Sequence, residues 1–237
     1  MAARRPSVTL RRFFEVASDL LEGSMDAAGA TRILGPCPEG DAALARYARF
    51  VHRQRRAVID GFFEATKALS ARDDPARFDR LADSFIAVSP PCGWEPNGWA
   101  TGFAAHLERL HRTGTDIPEA MTELADYAVV RWEVSVGGPI AVRSYAYDVV
   151  DLSRKGHATR EAPVRAPTTI VVGLSRTTNR VVVVTPTLAT LVAIARRSDA
   201  SVAPPSPAMT EDDVVSADAD LVARGLLPPA CAAPRGH

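Results

Sequence analysis

Cysteine is scarce in this chain and long apolar runs are missing, and both absences exclude classes of protein. The three cysteines, Cys37, Cys92 and Cys231, lie far apart and form no CxxC pair, so neither a zinc knuckle nor a disulfide framework is indicated. No apolar run approaches the roughly 20 residues of a membrane-spanning helix. No apolar signal-peptide region follows the early arginines. We therefore expect a cytoplasmic protein with isolated, reduced thiols and no membrane partner.

An excess of either charge is also missing. Lys+Arg and Asp+Glu number 28 each among 237 residues, whereas a dedicated nucleic-acid binder usually carries a basic excess. The composition therefore makes nucleic acid an unfavourable partner, although a local basic stripe remains compatible with it. The length allows one large domain or two small ones, each with its own core.

The familiar catalytic motifs are absent as well. The sequence has no GxSxG, no P-loop, no GxGxxG after a strand and no HExxH. His106 and His111 are five residues apart, off the i, i+4 spacing that brings two ligands onto one helix face. A metal site that combines them with Glu108 or Asp116, a Cys–His nucleophile and an unrecognised enzyme site stay open as alternatives. We expect no catalytic residue, no metal and no cofactor in this chain.

Helical patterns fill about the first 135 residues. The clearest predicted helix spans 41–69, where apolar residues recur at steps near 3.6 and predict one stripe that faces a core. A Gly- and Pro-rich stretch, 29–40, is typical of a connection. The other predicted helices of this half span 9–22, 73–88, 102–112 and 118–136. The apolar stripe of helix 41–69 consists of Leu44, Tyr47, Val51, Val58, Phe62, Ala65 and Leu69.

Two features of the helical half indicate either a solvated surface or a binding surface. Four arginines fall on the side of helix 41–69 opposite its apolar stripe: Arg46, Arg49, Arg53 and Arg56. They form either a solvated face or a docking strip for an acidic partner or a phosphate backbone. A Pro/Gly-rich loop carries Trp94 and Trp99, which either fold onto the domain or serve as interface anchors.

The last 100 residues have a different pattern. A strand is predicted at 145–152 and a hairpin at 168–174 and 180–185, followed by helices at 187–197 and 211–224. Thr210 with Asp213 resembles a capping box, and Gly225 marks the C′ position. The predicted fold class is α+β: an N-terminal helical domain, 1–138, followed by a small winged-helix-like β-hairpin/helix domain, 139–229. Residues 230–237 are expected to form a disordered tail.

The helical half carries five motifs in a fixed order: "LRRFFEVASDLL", "ARYARFVHRQRRAVIDGFFEATKAL", "FDRLADSFIAVSPP", "GWATGFAAHLERL" and "LADYAVVRWEV". In these motifs it resembles a domain described in bacteria as DNA-binding. That domain occurs in accessory proteins encoded beside multinuclear non-haem iron-dependent oxidative enzymes, and the resemblance covers about residues 10–136. This chain departs from the family at Arg131, where an acidic residue usually precedes the tryptophan, here Trp132. A partner contact made by that acid would differ here.

The C-terminal half resembles a degenerate winged-helix module of the kind that recognises precursor peptides of ribosomal natural products. There, a leader peptide adds a strand to the sheet, so that main-chain groups provide affinity and side-chain pockets provide selectivity. A hairpin as apolar as this one needs cover on both faces. Either both faces are core, or one receives the peptide. The predicted peptide-binding residues are Ile170, Val172, Leu174, Arg176, Arg180, Val182, Val184 and Leu191.

Together the two resemblances imply a non-catalytic partner subunit. It would bind a precursor's leader peptide and form a heterodimer with an iron-dependent oxidative enzyme, and the iron would sit in that partner. The alternative is a DNA-binding regulator, although the predicted helix 211–224 is acidic and would repel phosphates. The residues predicted to contact the enzyme are Arg46, Arg49, Arg53, Trp94, Trp99 and Arg131.

Overall fold

The computed structural model describes residues 10–22, 24–36, 40–89, 95–155, 162–198 and 209–229. In these ranges the chain is mostly helical with one three-stranded antiparallel sheet, which confirms the α+β class. Contacts divide the chain into two compact units. Unit 1 is Met1–Ala125 with Lys155–Arg160, and unit 2 is Asp126–Arg154 with Glu161–His237. The division therefore falls inside the helix Glu119–Ser135 rather than at residue 138. Throughout the described ranges, every helix is too short or too polar to cross a bilayer.

In the described residues of unit 1, the regular secondary structure is helical. Its core is aromatic: the Phe103 ring lies 5.2 Å from that of Phe63, 5.5 Å from Phe78 and 5.6 Å from Phe85, measured between centroids. Tilted and edge-on ring contacts at such separations are the favoured aromatic arrangements. The helices are α1 (Leu10–Glu22), α2 (Ala27–Leu34), α3 (Asp41–Phe62), α4 (Glu64–Ala71), α5 (Arg77–Val88), α6 (Pro96–Ala100), α7 (Gly102–Arg112) and α8 (Glu119–Ser135), whose second half belongs to unit 2.

The prediction of a connection at 29–40 is wrong, because α2 occupies its first part. The Asp26 carboxylate accepts a hydrogen bond from the Gly29 N–H at 2.7 Å, which caps the helix. Ala30 is then fully buried beside Val16 and Leu20 of α1. Gly29 suggested that no helix forms here, but the capping residue Asp26, three positions earlier, was the stronger local signal.

The single helix predicted at 41–69 is interrupted at Phe63. This residue leaves the helical region of backbone space, and its ring is buried in the aromatic core. The predicted stripe is also wrong at Tyr47, which is 56% exposed, whereas Ile59 is fully buried and Arg55 is buried too. The reason is local cover: α1 and α2 pack on Leu44 and Ala48 and leave the Tyr47 side of α3 open.

Unit 2 is built around the sheet, with strand order β1-β2-β3 and therefore β2 in the centre. The strand predicted at 145–152 is wrong beyond Tyr147, because Val149 begins a helix there. The Asp148 carboxylate accepts from the Asp151 N–H at 2.9 Å, as a helix start requires. The elements are β1 (Ala141–Tyr147), α9 (Val149–Lys155), β2 (Arg165–Ser175), β3 (Arg180–Val184), α10 (Leu188–Arg197) and α11 (Glu211–Ala223).

Both faces of the sheet are covered. On one face, Val171 packs in a cluster with residues of α10 and α11, and its cross-strand partner Val184 packs against the same cluster. On the other face, the Tyr145 hydroxyl donates to the Asp126 carboxylate of α8 at 2.8 Å, and its ring meets that of Tyr127 edge-on. The apolar hairpin thus obtains the double cover that its composition requires.

The end of α11 is fixed to the hairpin turn. Gly225 has a φ of +71°, and the Leu226 N–H reaches the Leu221 carbonyl at 2.9 Å, the six-to-one bond of a Schellman motif. The Gly225 carbonyl accepts from the Arg176 N–H at 2.9 Å, and the Ser175 hydroxyl donates to the Arg224 carbonyl at 2.8 Å. The predicted C′ glycine is confirmed, and so is the capping box of Thr210 with Asp213.

Candidate functional site

The sheet of unit 2 has two edges in the described part of the chain, β1 and β3. Val172 of β2 lies between Ala141 of β1 and Val183 of β3, so the main chain of the central strand already pairs on both sides. β3 pairs with β2 alone. An unpaired strand presents a row of N–H and C=O groups to another chain, so β3 is the edge next to the predicted peptide residues.

The predicted peptide-binding residues separate into three groups. Ile170 and Val172 of β2 are core residues, with 1% and 0% exposure. Leu174, Val182, Val184 and Leu191 are half-buried, and the last three of these pack against the cluster beneath α10 and α11. Arg176 and Arg180 are exposed at the hairpin turn. Only the second and third groups are accessible to a bound peptide.

A cleft of about 570 Å³ lies between the start of α10 and one side of α11. Its α11 wall repeats at i, i+3, i+4 and i+7, the spacing of one helix face. Leu188 and Met209 add apolar surface, and the exposed Leu188 lies four residues after the end of β3. None of the residues predicted to bind a peptide or an enzyme lines this cleft, because its two walls are separated in the sequence. The α11 wall consists of Asp213, Ser216, Ala217 and Asp220.

The cleft is anionic. Among the described residues, it is lined by two carboxylates and by no basic side chain. The backbone N–H and the hydroxyl of Thr210 donate to Asp213 and lower the pKa of its carboxyl. The Asp220 carboxylate accepts from Arg224 Nε at 2.7 Å. A bound group of matching chemistry would carry a positive charge at the end of an aliphatic stem.

The arginines of α10 are engaged within unit 2. Arg196 Nη2 donates to Glu211 at 2.9 Å, and Arg197 Nε donates to Asp218 at 2.9 Å. These hydrogen bonds raise the pKa of Arg196 and lower the pKa of Asp218. The cations that a winged-helix DNA reader would direct at phosphates therefore already face carboxylates of α11.

The outer face of α3 in unit 1 combines basic and aromatic side chains. Arg46, Arg49 and Arg53 are exposed, and none of them makes an ion pair within the described residues. Tyr47 and Phe50 are 56% and 49% exposed on the same helix. We call these five residues the α3 outer face. Its aromatic members were missed in the sequence, where Tyr47 was assigned to the core.

Arg56 does not belong to that face, although the sequence grouped it there. Its guanidinium donates to Asp60 at 2.9 Å and to Asp83 at 3.1 Å, and it also bonds Asp79, so it joins α3 to α5. Burial opposes ionisation of Asp60, yet hydrogen bonds from Lys67 and Arg56 hold the pKa of this carboxyl below its ordinary value. Arg56 is therefore a structural cross-link between two helices.

The other three residues predicted to contact an enzyme lie outside α3 in the sequence. Trp99 is 6% exposed, and its indole N–H donates to the Ser89 carbonyl at 3.0 Å. Its side chain is therefore packed inside unit 1. Trp94 lies outside the described residues. Arg131 belongs to unit 2 and stacks over the Tyr127 ring at 5.6 Å. Arg46, Arg49 and Arg53 thus share one face of α3, whereas Trp99 is buried and Arg131 belongs to unit 2.

Among the described residues, Ser84 and His106 form a hydrogen-bonded pair. The donor and acceptor roles in this pair do not fit a catalytic serine. Arg109 lies 2.6 Å from His106 Nδ1, and a guanidinium only donates, so that nitrogen is the acceptor. His106 Nε2 then carries the proton and donates to the Ser84 hydroxyl at 2.9 Å, which in turn donates to the Leu81 carbonyl at 2.8 Å. In this tautomer the imidazole cannot accept the serine proton, as a nucleophilic serine requires.

Metal and thiol chemistry find no assembled site in the described ranges. No group of three or more His, Cys, Asp and Glu side chains there could hold a metal ion. The candidate cysteines Cys37, Cys92 and Cys231 all lie outside these ranges.

Comparison with known protein families finds none that matches this sequence. Comparison with curated proteins gives no match either.

Proposed function

We propose that this chain is a non-catalytic partner subunit that works in the cytoplasm with an iron-dependent oxidative enzyme. It binds the leader of a ribosomally made precursor peptide and presents that peptide to the enzyme. The observation that carries the proposal is the outer side of β3, where no strand pairs with it within the described residues. This side of β3 belongs to the same unit as the anionic cleft at the α10–α11 junction. The iron and the oxidative chemistry belong to the enzyme, and this chain supplies positioning.

The arrangement of unit 2 supports a winged-helix-like peptide-recognition module. Strand β1 is followed by the β2–β3 hairpin and then by α10 and α11, in the order that such modules have. It departs from them in two respects, since α9 lies between β1 and β2 and, within the described residues, two helices rather than three follow the sheet. Those two helices cover one face of the sheet, and within the described residues no strand pairs with the outer side of β3.

A leader peptide would bind by adding a fourth strand beside β3. Because Ile170 and Val172 are core, affinity would come from the main chain of β3 and from the half-buried Val182 and Val184. The cleft would take a side chain next to this strand, and its two carboxylates favour Lys or Arg. The preferred leader would therefore be a β-prone segment with a basic residue.

Presentation is a sufficient role for a subunit of this kind. A precursor held at one site reaches a second site at an effective concentration of about millimolar for a short flexible tether. The enzyme would then modify residues outside the bound leader.

The experiment uses two consecutive proline substitutions in β3, Val182→Pro and Val183→Pro. Successive residues of an antiparallel edge strand direct their N–H groups alternately to the neighbouring strand and away from it. One proline therefore breaks the β2–β3 ladder, and the other removes only an outward donor. Binding is measured by fluorescence anisotropy with synthetic leader segments of candidate short precursors from the same genome, together with thermal unfolding of each variant.

We expect one of the two variants to keep the wild-type melting temperature and to bind the leader about tenfold more weakly or worse. If both variants unfold, Val182→Thr and Val183→Thr replace them and test the side-chain contacts alone. Wild-type protein that binds none of the leader peptides would overturn the proposal. A proline at Val172 would be uninformative, because β2 is paired on both sides.

DNA binding through unit 2 is the less favoured function. Arg196 and Arg197 are engaged by carboxylates, and α11 begins with Glu211, Asp212 and Asp213. A gel shift with random duplex at low salt tests it directly. A salt-sensitive shift at micromolar protein would revive it, since phosphate contacts release counterions.

A further inference from the structure

The α3 outer face has the charge and shape of a docking site. At 3.6 residues per turn, Arg46, Phe50 and Arg53 lie along one line of the helix, with Arg49 on one flank and Tyr47 on the other. Phe50 therefore sits between two arginines of the same row. The result is an apolar ring surrounded by guanidinium groups on one solvent-exposed helix face.

The three arginines of this face differ in their charge pairing from four other arginines of unit 1. Arg56, Arg77, Arg80 and Arg112 each have a carboxylate partner within 4.0 Å. The three arginines of the α3 outer face have none within the described residues, and no acidic residue occurs between Ala42 and Ile59 of α3. An arginine row without counter-charges is complementary to an acidic surface.

We propose that the α3 outer face docks onto an acidic surface of the oxidative enzyme, one that has an apolar hollow for Phe50 and Tyr47. This inference rests on the proposed function, since it names the surface with which the subunit holds its enzyme. Aromatic residues and arginine are the residues most enriched at binding hot spots, whereas lysine is depleted at interfaces. The face has three arginines, two aromatic rings and no lysine.

A folded protein fits this face better than a nucleic acid does. Three arginines would neutralise about three phosphates, which provides weak, salt-sensitive binding, and the chain as a whole carries no net charge. Phe50 in the centre of the row would meet the phosphate backbone of a duplex without an apolar partner. An acidic protein surface with a hollow uses both the rings and the guanidinium groups.

The test is co-expression of the full chain with candidate iron-dependent oxidative enzymes from the same genome, followed by size-exclusion chromatography with mass analysis and titration of the purified partners. Arg46→Glu/Arg49→Glu/Arg53→Glu reverses the charge of the face, and Tyr47→Ala/Phe50→Ala removes its rings. The matched control is Arg80→Glu/Arg112→Glu, two arginines of the same unit whose side chains are 63% and 71% exposed. Thermal unfolding of each variant establishes that it is folded.

We expect both face variants to weaken the complex about tenfold or more, the control to leave it within about twofold, and added salt to weaken the wild-type complex. If the wild-type complex forms and survives both face variants, the docking site is elsewhere and the proposed function stands. If wild-type chain and enzyme do not associate, the proposed function and this inference both fail. An oligonucleotide shift that the charge-reversed variant abolishes, with the enzyme complex intact, would assign the face to nucleic acid instead.

Discussion

His106 shows how a single buried side chain couples protonation to folding. Burial, and then the positive charge of Arg109, lower the pKa of its imidazole below the ordinary 6.5. The neutral ring accepts from Arg109 and donates to Ser84, so protonation would replace an acceptor with a second donor facing a guanidinium. Charging this ring is therefore unfavourable in the folded state.

The first prediction concerns pH. Because the folded pKa is lowered, the unfolded state binds more protons once the pH falls below about 6.5, so the contribution of His106 to stability is complete above that pH and is lost below it. We expect the free energy of unfolding, measured by urea denaturation, to decrease between about pH 7.5 and about pH 5.5. His106→Gln should flatten this slope. An unchanged slope in the variant would show that other groups cause it.

The second prediction compares two glycines. Gly225 has a positive φ, and a Cβ there would lie 3.0 Å from the backbone nitrogens of Arg176 and Thr177. We expect Gly225→Ala to destabilise the fold by about 1–3 kcal/mol. Gly61, on an exposed position of α3 with nothing within 4 Å, is the matched control, and Gly61→Ala should stabilise by up to about 1 kcal/mol. Equal melting temperatures for the two variants would contradict the left-handed cap.

At the scale of the element, short helices depend on their caps. α2 has only eight residues, too few to be stable alone in water. Its Asp26 cap and the burial of Ala30 against α1 hold it in place.

The third prediction follows from that cap. Asp26→Ala should lower the free energy of unfolding by about 0.5–2 kcal/mol, because the first turn of α2 loses its side-chain acceptor. Asp26→Asn keeps an acceptor oxygen and should remain close to the wild type. Thermal unfolding monitored by circular dichroism distinguishes them, and an Asn variant as unstable as the Ala variant would argue for the charge rather than the cap.

The hairpin illustrates what the pattern of an element conveys. Its two runs of β-branched residues predicted both strands, and the double cover of their apolar faces followed from the same composition. The pattern did not show which strand would be central. That depends on β1, whose residues pair with residues of β2 that lie 18 to 31 positions away in the chain.

At the scale of the whole molecule, the balance of charge has a measurable consequence. With 28 basic and 28 acidic residues and an isoelectric point near 7.0, the chain has almost no net repulsion at neutral pH. Yet the charges are unevenly placed: uncompensated arginines lie on the α3 outer face, and carboxylates line the cleft.

The fourth prediction is a solubility minimum close to pH 7 in low salt, because molecules without net charge associate most readily. Each change of Arg to Glu lowers the net charge by two, so Arg46→Glu/Arg49→Glu/Arg53→Glu lowers it by six from zero. This variant should have its minimum at a more acidic pH. Light scattering across a pH series measures both minima, and coincident minima would show that net charge does not control association.

The sequence by itself determined the features of this protein that depend on residues close together in the chain. Periodicity located most helices and the hairpin, Thr210 and Gly225 marked the ends of α11, and the α+β class followed from their order. Such signals are local, since a cap, a turn or a helical face depends on residues within about one or two turns of each other.

Only the tertiary structure decided which surfaces are open. Tyr47 fits the apolar stripe of a predicted helix and Trp99 lies in a Pro/Gly-rich stretch, yet Tyr47 is exposed on α3 and Trp99 is buried against Phe85. Arg53 and Arg56 lie one turn apart, but only Arg56 meets carboxylates from α5. The cleft likewise needs α10 and α11 side by side. Exposure and pairing depend on residues distant in the chain, so no local pattern could specify them.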